Sequence, residues 1–208
     1  MNTQLLFGAV LLILTAAVVI FDIKFAMLKD MSTADRKPHS FARVQLAWWS
    51  VIILASFIAI MAEKGVPALR DSTLMLLGIS AVTAAAARII DLSDNANPKV
   101  SMCQNESAQN FFLDILSDEK GVSIHRFQTV VFNLAFGVWF VAEVLRNLAD
   151  KSVIADAVMP DVSPNNLILL GLSAGTYAAL KATENKPSEA HPEAVPDEAV
   201  STSTKAEG

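Results

Sequence analysis

Cysteine and charge are both scarce in this chain. Cys103 is the only cysteine among 208 residues, which excludes an internal disulfide and any paired-cysteine motif. The sequence also lacks a glycine-rich phosphate loop and a zinc-binding helix of the His-Glu-x-x-His type. We therefore expect no catalytic residues, no cofactor and no metal, and the chain is not predicted to be an enzyme.

Basic character is weak as well. The formal net charge is −5, and no segment combines clustered lysine or arginine with aromatic residues. Because nucleic-acid binding needs a basic surface, we exclude it as a function.

Long stretches have no charge at all. Charged residues make up 18% of the chain, yet none lies in 5–21, 44–62, 72–87, 127–142 or 162–180. A helix needs roughly 20 apolar residues to cross the hydrocarbon core, with about 17 as the lower limit. These runs are apolar all round, which argues against buried helices of a soluble domain. They predict an all-α, polytopic membrane helix bundle over 1–182, with five transmembrane helices at about 5–23, 44–62, 72–90, 127–145 and 162–181.

The first apolar run does not have the pattern of a cleaved signal peptide. No lysine or arginine precedes it, and the small residues Thr15, Ala16 and Ala17 are followed by more apolar residues. We expect an uncleaved span.

Lysine and arginine are distributed unevenly between the predicted loops. Twelve of the sixteen lie between spans one and two, between spans three and four, or after span five. Cytoplasmic loops retain such residues, so we predict an N-terminus outside and a C-terminus in the cytoplasm.

Two pairs of spans are similar in sequence. Residues 74–88 align without gaps to 167–181, with nine of fifteen residues identical and a cation closing each segment. The preceding spans align more faintly, through Arg43 with Arg126 and Gln45 with Gln128. The chain is therefore predicted to be one N-terminal helix followed by two parallel-repeat helix hairpins, repeat 1 at 40–90 and repeat 2 at 123–182. A pseudo-twofold axis along the membrane normal is expected.

Four strings carry a resemblance to a known group of proteins. They are ARVQLAWW at 42–49, GISA at 78–81, LSDEKGVSIHRFQ at 116–128 and GLSAGTY at 171–177. Together they resemble an uncharacterised family of bacterial inner-membrane proteins over roughly residues 40–182. The resemblance implies a multi-pass protein of the bacterial inner membrane, and it implies no activity, cofactor or substrate.

The repeated arginine and glutamine residues are candidate interface residues. Arg43 and Arg126 lie at the cytoplasmic entrances of spans two and four, where a guanidinium reaches lipid phosphates or sets topology. Gln45 and Gln128 follow two positions later and therefore point to a different side of the helix. Amides inside spans usually bond across helices, so we expect the glutamines to hydrogen-bond to a neighbouring backbone.

Repeated hydroxyl residues form a second candidate set. Ser80 and Thr83, like Ser173 and Thr176, are three positions apart and share a helix face near mid-membrane. They could contact a small solute at the repeat interface. Alternatively, each hydroxyl bonds to the carbonyl one turn back and presents a small packing surface, which is the interpretation we favour.

The loops and tail contain the remaining features. The pattern of 111–119 predicts a short cytoplasmic amphipathic helix, with Ser107 as N-cap and Gly121 as terminator. His39 and His125 have no metal-ligand companions and are expected to be solvated. Glu143 is expected to pair with Arg146. Residues 183–208 are poor in large apolar residues and predict a disordered cytoplasmic tail.

Two functions remain open from the sequence. The first is a non-catalytic scaffold or oligomeric assembly subunit in the lipid bilayer, bound to copies of itself or to a membrane or cytoplasmic protein. The alternative is a passive pore or small-solute carrier with a site at the repeat interface. Acidic or basic groups deep inside the spans would indicate coupled transport, and the apolar runs contain none.

Overall fold

The computed structural model describes residues 2–97, 108–118 and 121–184, and these residues form seven helices and one short hairpin. The helices are α1 (Thr3–Phe25), α2 (Phe41–Lys64), α3 (Asp71–Asn95), α4 (Phe111–Leu116), α5 (Ile124–Ala149), α6 (Ala155–Val158) and α7 (Pro164–Glu184). The antiparallel strands β1 (Ser117–Asp118) and β2 (Gly121–Val122) follow α4.

Four helices are long and apolar enough to cross a membrane: α1, α2, α3 and α5. They contain the first four predicted spans and extend beyond each of them at both ends. The fifth predicted span corresponds to α7, which does not qualify by the same measure among the described helices. Its mean hydropathy is lowered by Asn165 and Asn166 at its start and by Lys181 near its end. The all-helical class is thus confirmed, four helices fit a membrane protein, and the fifth span stays a prediction.

Two long hairpins form the body of the bundle. In the first, α2 packs against α3, and in the second, α5 packs against α7. The hairpins lie side by side, with α2 against α5 and α3 against α7, and α1 covers α2 and α5. A twofold axis between the hairpins would place α2 diagonally opposite α5, and α3 diagonally opposite α7. In the structure these corresponding helices are neighbours, so the arrangement differs from the expected one.

The core lies between α2 and α5. Trp49, Ile52, Phe140 and Val144 are fully buried there, and Phe7 of α1 joins them. Trp49 meets Phe140 edge-on, with ring centroids 6.1 Å apart. In a membrane, such van der Waals packing replaces the hydrophobic effect as the main attraction between helices.

The bundle has two ends, which we name after their short helices. At the α6 end, Lys64 Nζ donates to the carbonyls of Asp150 and Val153, at 2.8 and 2.6 Å. Ser72 Oγ donates to Asp161 Oδ1 at 2.7 Å. Helices α2 and α3 are thereby tied to the segment that joins α5 to α7.

Two further carboxylates at the α6 end have local partners. Glu143 pairs with Arg146, as the sequence predicts. The pKa of the Asp150 carboxyl lies below its usual range, because the hydroxyl and the backbone N–H of Ser152 both donate to it.

At the α4 end, α1 stops, α2 and α5 begin, and α3 and α7 finish. Helix α4 begins at Phe111 because the Asn110 side chain accepts a hydrogen bond from the Leu113 N–H. Asn110 is thus the N-cap, while Ser107 lies outside the described residues. Helix α4 ends at Leu116, so Gly121 does not terminate it as predicted; Gly121 lies in β2 with a φ of +101°. Helix α7 extends to Glu184, and the rest of the predicted tail, 185–208, lies outside the described residues.

Candidate functional site at the α4 end

The predicted arginine and glutamine residues lie at the α4 end but do not share one environment. Arg43 Nη1 donates to the Met27 carbonyl at 3.3 Å, while the Arg126 guanidinium carbon lies 5.4 Å from the centre of the Tyr177 ring. Gln45 is buried, whereas Gln128 is exposed. The two repeated positions therefore have different surroundings.

Asn133 is an amide that joins two helices, and sequence reasoning missed it. Its Oδ1 accepts from Trp49 Nε1 at 2.8 Å, and its backbone carbonyl accepts from Trp48 Nε1 at 3.1 Å. Its Nδ2 donates to the Thr129 carbonyl at 2.8 Å. Asn133 lies inside the fourth apolar run. An amide at such a position is the signal from which its hydrogen bond to another helix could have been predicted.

The four hydroxyl residues lie on α3 and α7, which pack against each other. Ser80 Oγ donates to the Leu76 carbonyl at 3.0 Å, and Thr83 Oγ1 donates to the Ile79 carbonyl at 2.7 Å. Thr176 Oγ1 likewise donates to the Leu172 carbonyl at 2.9 Å, and Ser173 is buried. Three of the four hydroxyls thus have a partner within their own helix.

A cleft of about 290 Å³ separates parts of α3 and α7. Thr83 lines it, but glycine, alanine and aliphatic side chains form most of its surface. Gly171 and Gly175 flank Ser173 in the string GLSAG, whose letters match those of a serine nucleophile elbow. That motif requires a sharp strand-to-helix turn, and here the string lies inside α7. Nothing at this cleft resembles a nucleophilic site.

A buried ion cluster joins three segments at the α4 end. Lys181 of α7 is 2% exposed, and its Nζ lies 3.0 Å from Asp91 Oδ1 of α3 and 3.3 Å from Asp30 Oδ2. Asp94, which follows Asp91 closely in the sequence of α3, is also buried. From the sequence, Lys181 was identified only as the cation at the end of repeat 2. Its partner Asp30 is 151 positions away, a separation that no local pattern reveals.

A second charged cluster is centred on His39, which the sequence predicted to be solvated. That prediction was wrong, because His39 Nε2 lies 3.2 Å from Asp22 Oδ2 and Nδ1 lies 3.0 Å from Asp114 Oδ2. The His39 backbone N–H also donates to Asp114, and the Phe111 ring meets the imidazole edge-on. His39 therefore links the end of α1 to α4.

The charged clusters hold one loop between them. Residues 26–40 connect α1 to α2, and Asp30 and His39 are both part of this segment. Within the loop, Asp30 N–H donates to the Pro38 carbonyl at 2.9 Å and Ser40 N–H donates to the Leu28 carbonyl at 2.7 Å. We call the loop 26–40 together with α4 the platform. It is fixed to α1, α3 and α7 by side-chain charges.

The chemistry available at the platform is ion pairing and hydrogen bonding. An imidazolium has two N–H donors and satisfies both carboxylates, whereas a neutral imidazole donates to only one. Within the described residues, no group of three or more His, Cys, Asp or Glu side chains is placed to hold a metal ion. Comparison of the chain with protein-family models, curated proteins and solved structures finds no match.

Proposed function

We propose that the protein is a non-catalytic membrane scaffold, an assembly subunit whose platform receives a protein partner or a second copy. The observation that carries this proposal is the bracing of the platform by the Lys181 and His39 clusters. Ion pairs that fix a loop reduce the conformational entropy lost when a partner binds, so a braced surface favours association.

The platform also exposes apolar side chains next to its charged ones. Phe112 of α4 is 69% exposed, and Val122 and Ile124 directly after the platform are exposed to a similar degree. Apolar residues at the centre of a contact and charged residues at its rim are the usual composition of a protein interface.

We further propose that α7 crosses the membrane as the fifth span. Asp161, just before α7, accepts from Ser72 at the α6 end, and Lys181 meets Asp30 and Asp91 at the α4 end. Its 21 residues correspond to about 30 Å of helix, which equals the thickness of the hydrocarbon core. The α4 end then faces the cytoplasm of a bacterial inner membrane, as the lysine and arginine distribution predicts.

The internal duplication belongs to the same proposal. Each long hairpin begins at the α4 end and returns to it, which supports two parallel repeats, 40–90 and 123–182. Their side-by-side packing indicates stacking of one hairpin on the next.

A passive pore or small-solute carrier is the weaker candidate. Such a site would use Ser80, Thr83, Ser173 and Thr176, yet three of these hydroxyls donate to carbonyls of their own helices. The adjoining cleft is lined mainly by apolar groups. Solute flux into liposomes that falls when the four residues are replaced by alanine or valine would establish this candidate.

The scaffold is tested by purifying the full-length protein from membranes in mild detergent and weighing the complexes by native mass spectrometry. We expect a stable oligomer or partner complex. Lys181→Met removes the shared cation and should reduce the bound partner about tenfold or more. Lys151→Met, at the exposed α6 end, is the matched control and should leave the complex unchanged.

A second variant separates loss of binding from loss of folding. Val122→Asp changes an exposed side chain and should also release the partner, with the thermal unfolding of the protein unchanged. A strictly monomeric wild-type protein would overturn the scaffold proposal. Complexes that persist in both Lys181→Met and Val122→Asp would show that neither the platform nor the apolar residues directly after it form the docking surface.

A further inference from the structure

A cavity of about 310 Å³ lies beneath α4, between it and the parts of α2 and α5 nearest the α4 end. The polar groups of its wall are turned away from it. Trp48 Nε1 donates to the Asn133 carbonyl, and the Asn133 side chain is occupied by Trp49 and Thr129. The cavity is therefore an apolar site at the edge of the bundle.

Gln45 differs from the other polar lining residues because its side-chain oxygen has no partner in the described part of the chain, although this oxygen does not face the cavity either. Its side chain is 3% exposed, and within the described residues its Oε1 is buried without a hydrogen-bond partner. A buried acceptor without a partner is unfavourable, and such groups in native proteins call for an explanation. The terminal torsion of a glutamine side chain is soft, so the amide turns towards a donor in the cavity at little cost.

The walls favour a flat aromatic occupant. Phe41, Trp48, Phe111 and Phe112 contribute rings to the lining, and aromatic rings pack well edge-to-face or offset. A cavity of about 150 Å³ holds one benzene molecule, so about 310 Å³ accommodates a substituted ring.

The cavity is largely preformed, because the clusters of the platform position its roof. Asp114 of α4 is held by His39, and the Phe111 ring stacks edge-on against the same imidazole, with centroids 5.1 Å apart. Ligand sites are typically preformed apolar clefts in which a few polar groups fix the orientation.

We propose that this cavity binds a membrane-soluble phenol or quinol, whose ring fills the aromatic walls and whose hydroxyl donates to Gln45 Oε1. This site lies beneath the platform to which the scaffold partner docks, and Phe112 belongs both to its lining and to that exposed surface. The hydroxyl gives the ligand its orientation, and the apolar walls admit it from the lipid phase.

Fluorescence quenching of the intact protein in nanodiscs tests the proposal, since Trp48 forms part of the wall. The probe is 4-bromophenol, whose bromine quenches indole emission, and the matched ligand is 4-bromoanisole, which has the same ring and bromine but no donor. At equal concentration in the membrane, we expect the phenol to bind about three- to tenfold more tightly. This preference should disappear in Gln45→Leu.

Control variants and ligands locate the site and define the class of ligand. Gln128→Leu, at an exposed glutamine outside the cavity, should keep the preference for the phenol. Val130→Phe fills the cavity and should abolish specific quenching while the helical circular dichroism is retained. A pair of aliphatic probes, 10-bromodecan-1-ol and its methyl ether, should show a smaller preference for the hydroxyl than the aromatic pair.

Three results would overturn the assignment. The first is equal binding of phenol and anisole to the wild-type protein, and the second is a preference that persists in Gln45→Leu. The third is a larger Gln45-dependent preference for the aliphatic alcohol, which would assign the site to a lipid hydroxyl instead of an aromatic one.

Discussion

At the scale of single residues, the contact between Gly137 and Trp48 determines how closely α2 and α5 approach. A Cβ atom at position 137 would lie 2.4 Å from Trp48 Nε1 and 2.6 Å from Cε2. The indole is held by its hydrogen bond to the Asn133 carbonyl, so it cannot move aside without losing that bond. We expect Gly137→Ala to lower the free energy of unfolding by about 1–3 kcal/mol, although alanine is the better helix former.

The measurement is unfolding of the purified protein by sodium dodecyl sulfate in mixed micelles. Gly8→Ala in α1 is the matched control, because among the described residues no atom lies within 4 Å of a Cβ built there. It should leave stability unchanged or raise it by up to about 1 kcal/mol. Equal stability of Gly137→Ala and wild type would show that the two helices can separate without loss.

The residues that join the helices show where reasoning from sequence ends. The apolar runs reveal where helices form, because hydropathy and period are local properties. They do not reveal that His39 meets Asp114 or that Lys181 meets Asp30, since these partners are 75 and 151 positions apart. The same limit explains why Asn133, whose side chain joins α5 to α2, was not predicted from the sequence.

At the scale of elements, the platform behaves as one unit because His39 ties the loop 26–40 to both α1 and α4. Removing the imidazole leaves the buried Asp22 and Asp114 without this shared partner. We expect His39→Ala to speed amide hydrogen exchange about tenfold or more at Leu28 and Gln109, whose N–H groups donate to those two carboxylates. Exchange in the cores of α2 and α5 should not change.

His125 provides the control for this experiment. It is an exposed histidine at the start of α5, and its replacement by alanine should leave exchange in the platform as it is in the wild type. Exchange is followed by mass spectrometry on peptides that cover 26–40 and 108–116. Identical protection in His39→Ala and wild type would mean that the Lys181 cluster alone holds the loop.

Helix boundaries were predictable to different degrees. For α2 and α3, the charge-free runs lie inside the observed helices, which continue into polar residues at the ends because interfacial side chains reach water. Helix α6 was not predicted, since a four-residue helix has no periodic signal. Helix α7 begins at Pro164, a residue that suits the first turn of a helix because its missing N–H is not needed there.

At the scale of the whole molecule, the position of α7 determines on which sides of the membrane the two ends of the bundle lie. If α7 crosses the membrane, positions 65 and 187 lie on opposite sides of it. If α7 does not cross, both positions lie on the same side as the α6 end. The contacts of Lys181 with Asp30 and Asp91 bring the end of α7 to the point where α1 stops and α3 finishes. We therefore predict opposite sides, with position 65 outside.

Reporter fusions in a bacterial host measure this directly. Alkaline phosphatase fused after Gly65 should be active, because that enzyme folds only outside the cytoplasm, where its disulfides form. The same reporter fused after Pro187 should be inactive, and a cytoplasmic fluorescent reporter there should be bright. Active phosphatase at both positions would remove the fifth span, and activity at Pro187 alone would reverse the orientation. Activity at both positions would leave Lys181 unable to reach Asp30. Activity at Pro187 alone would place the platform outside the cytoplasm.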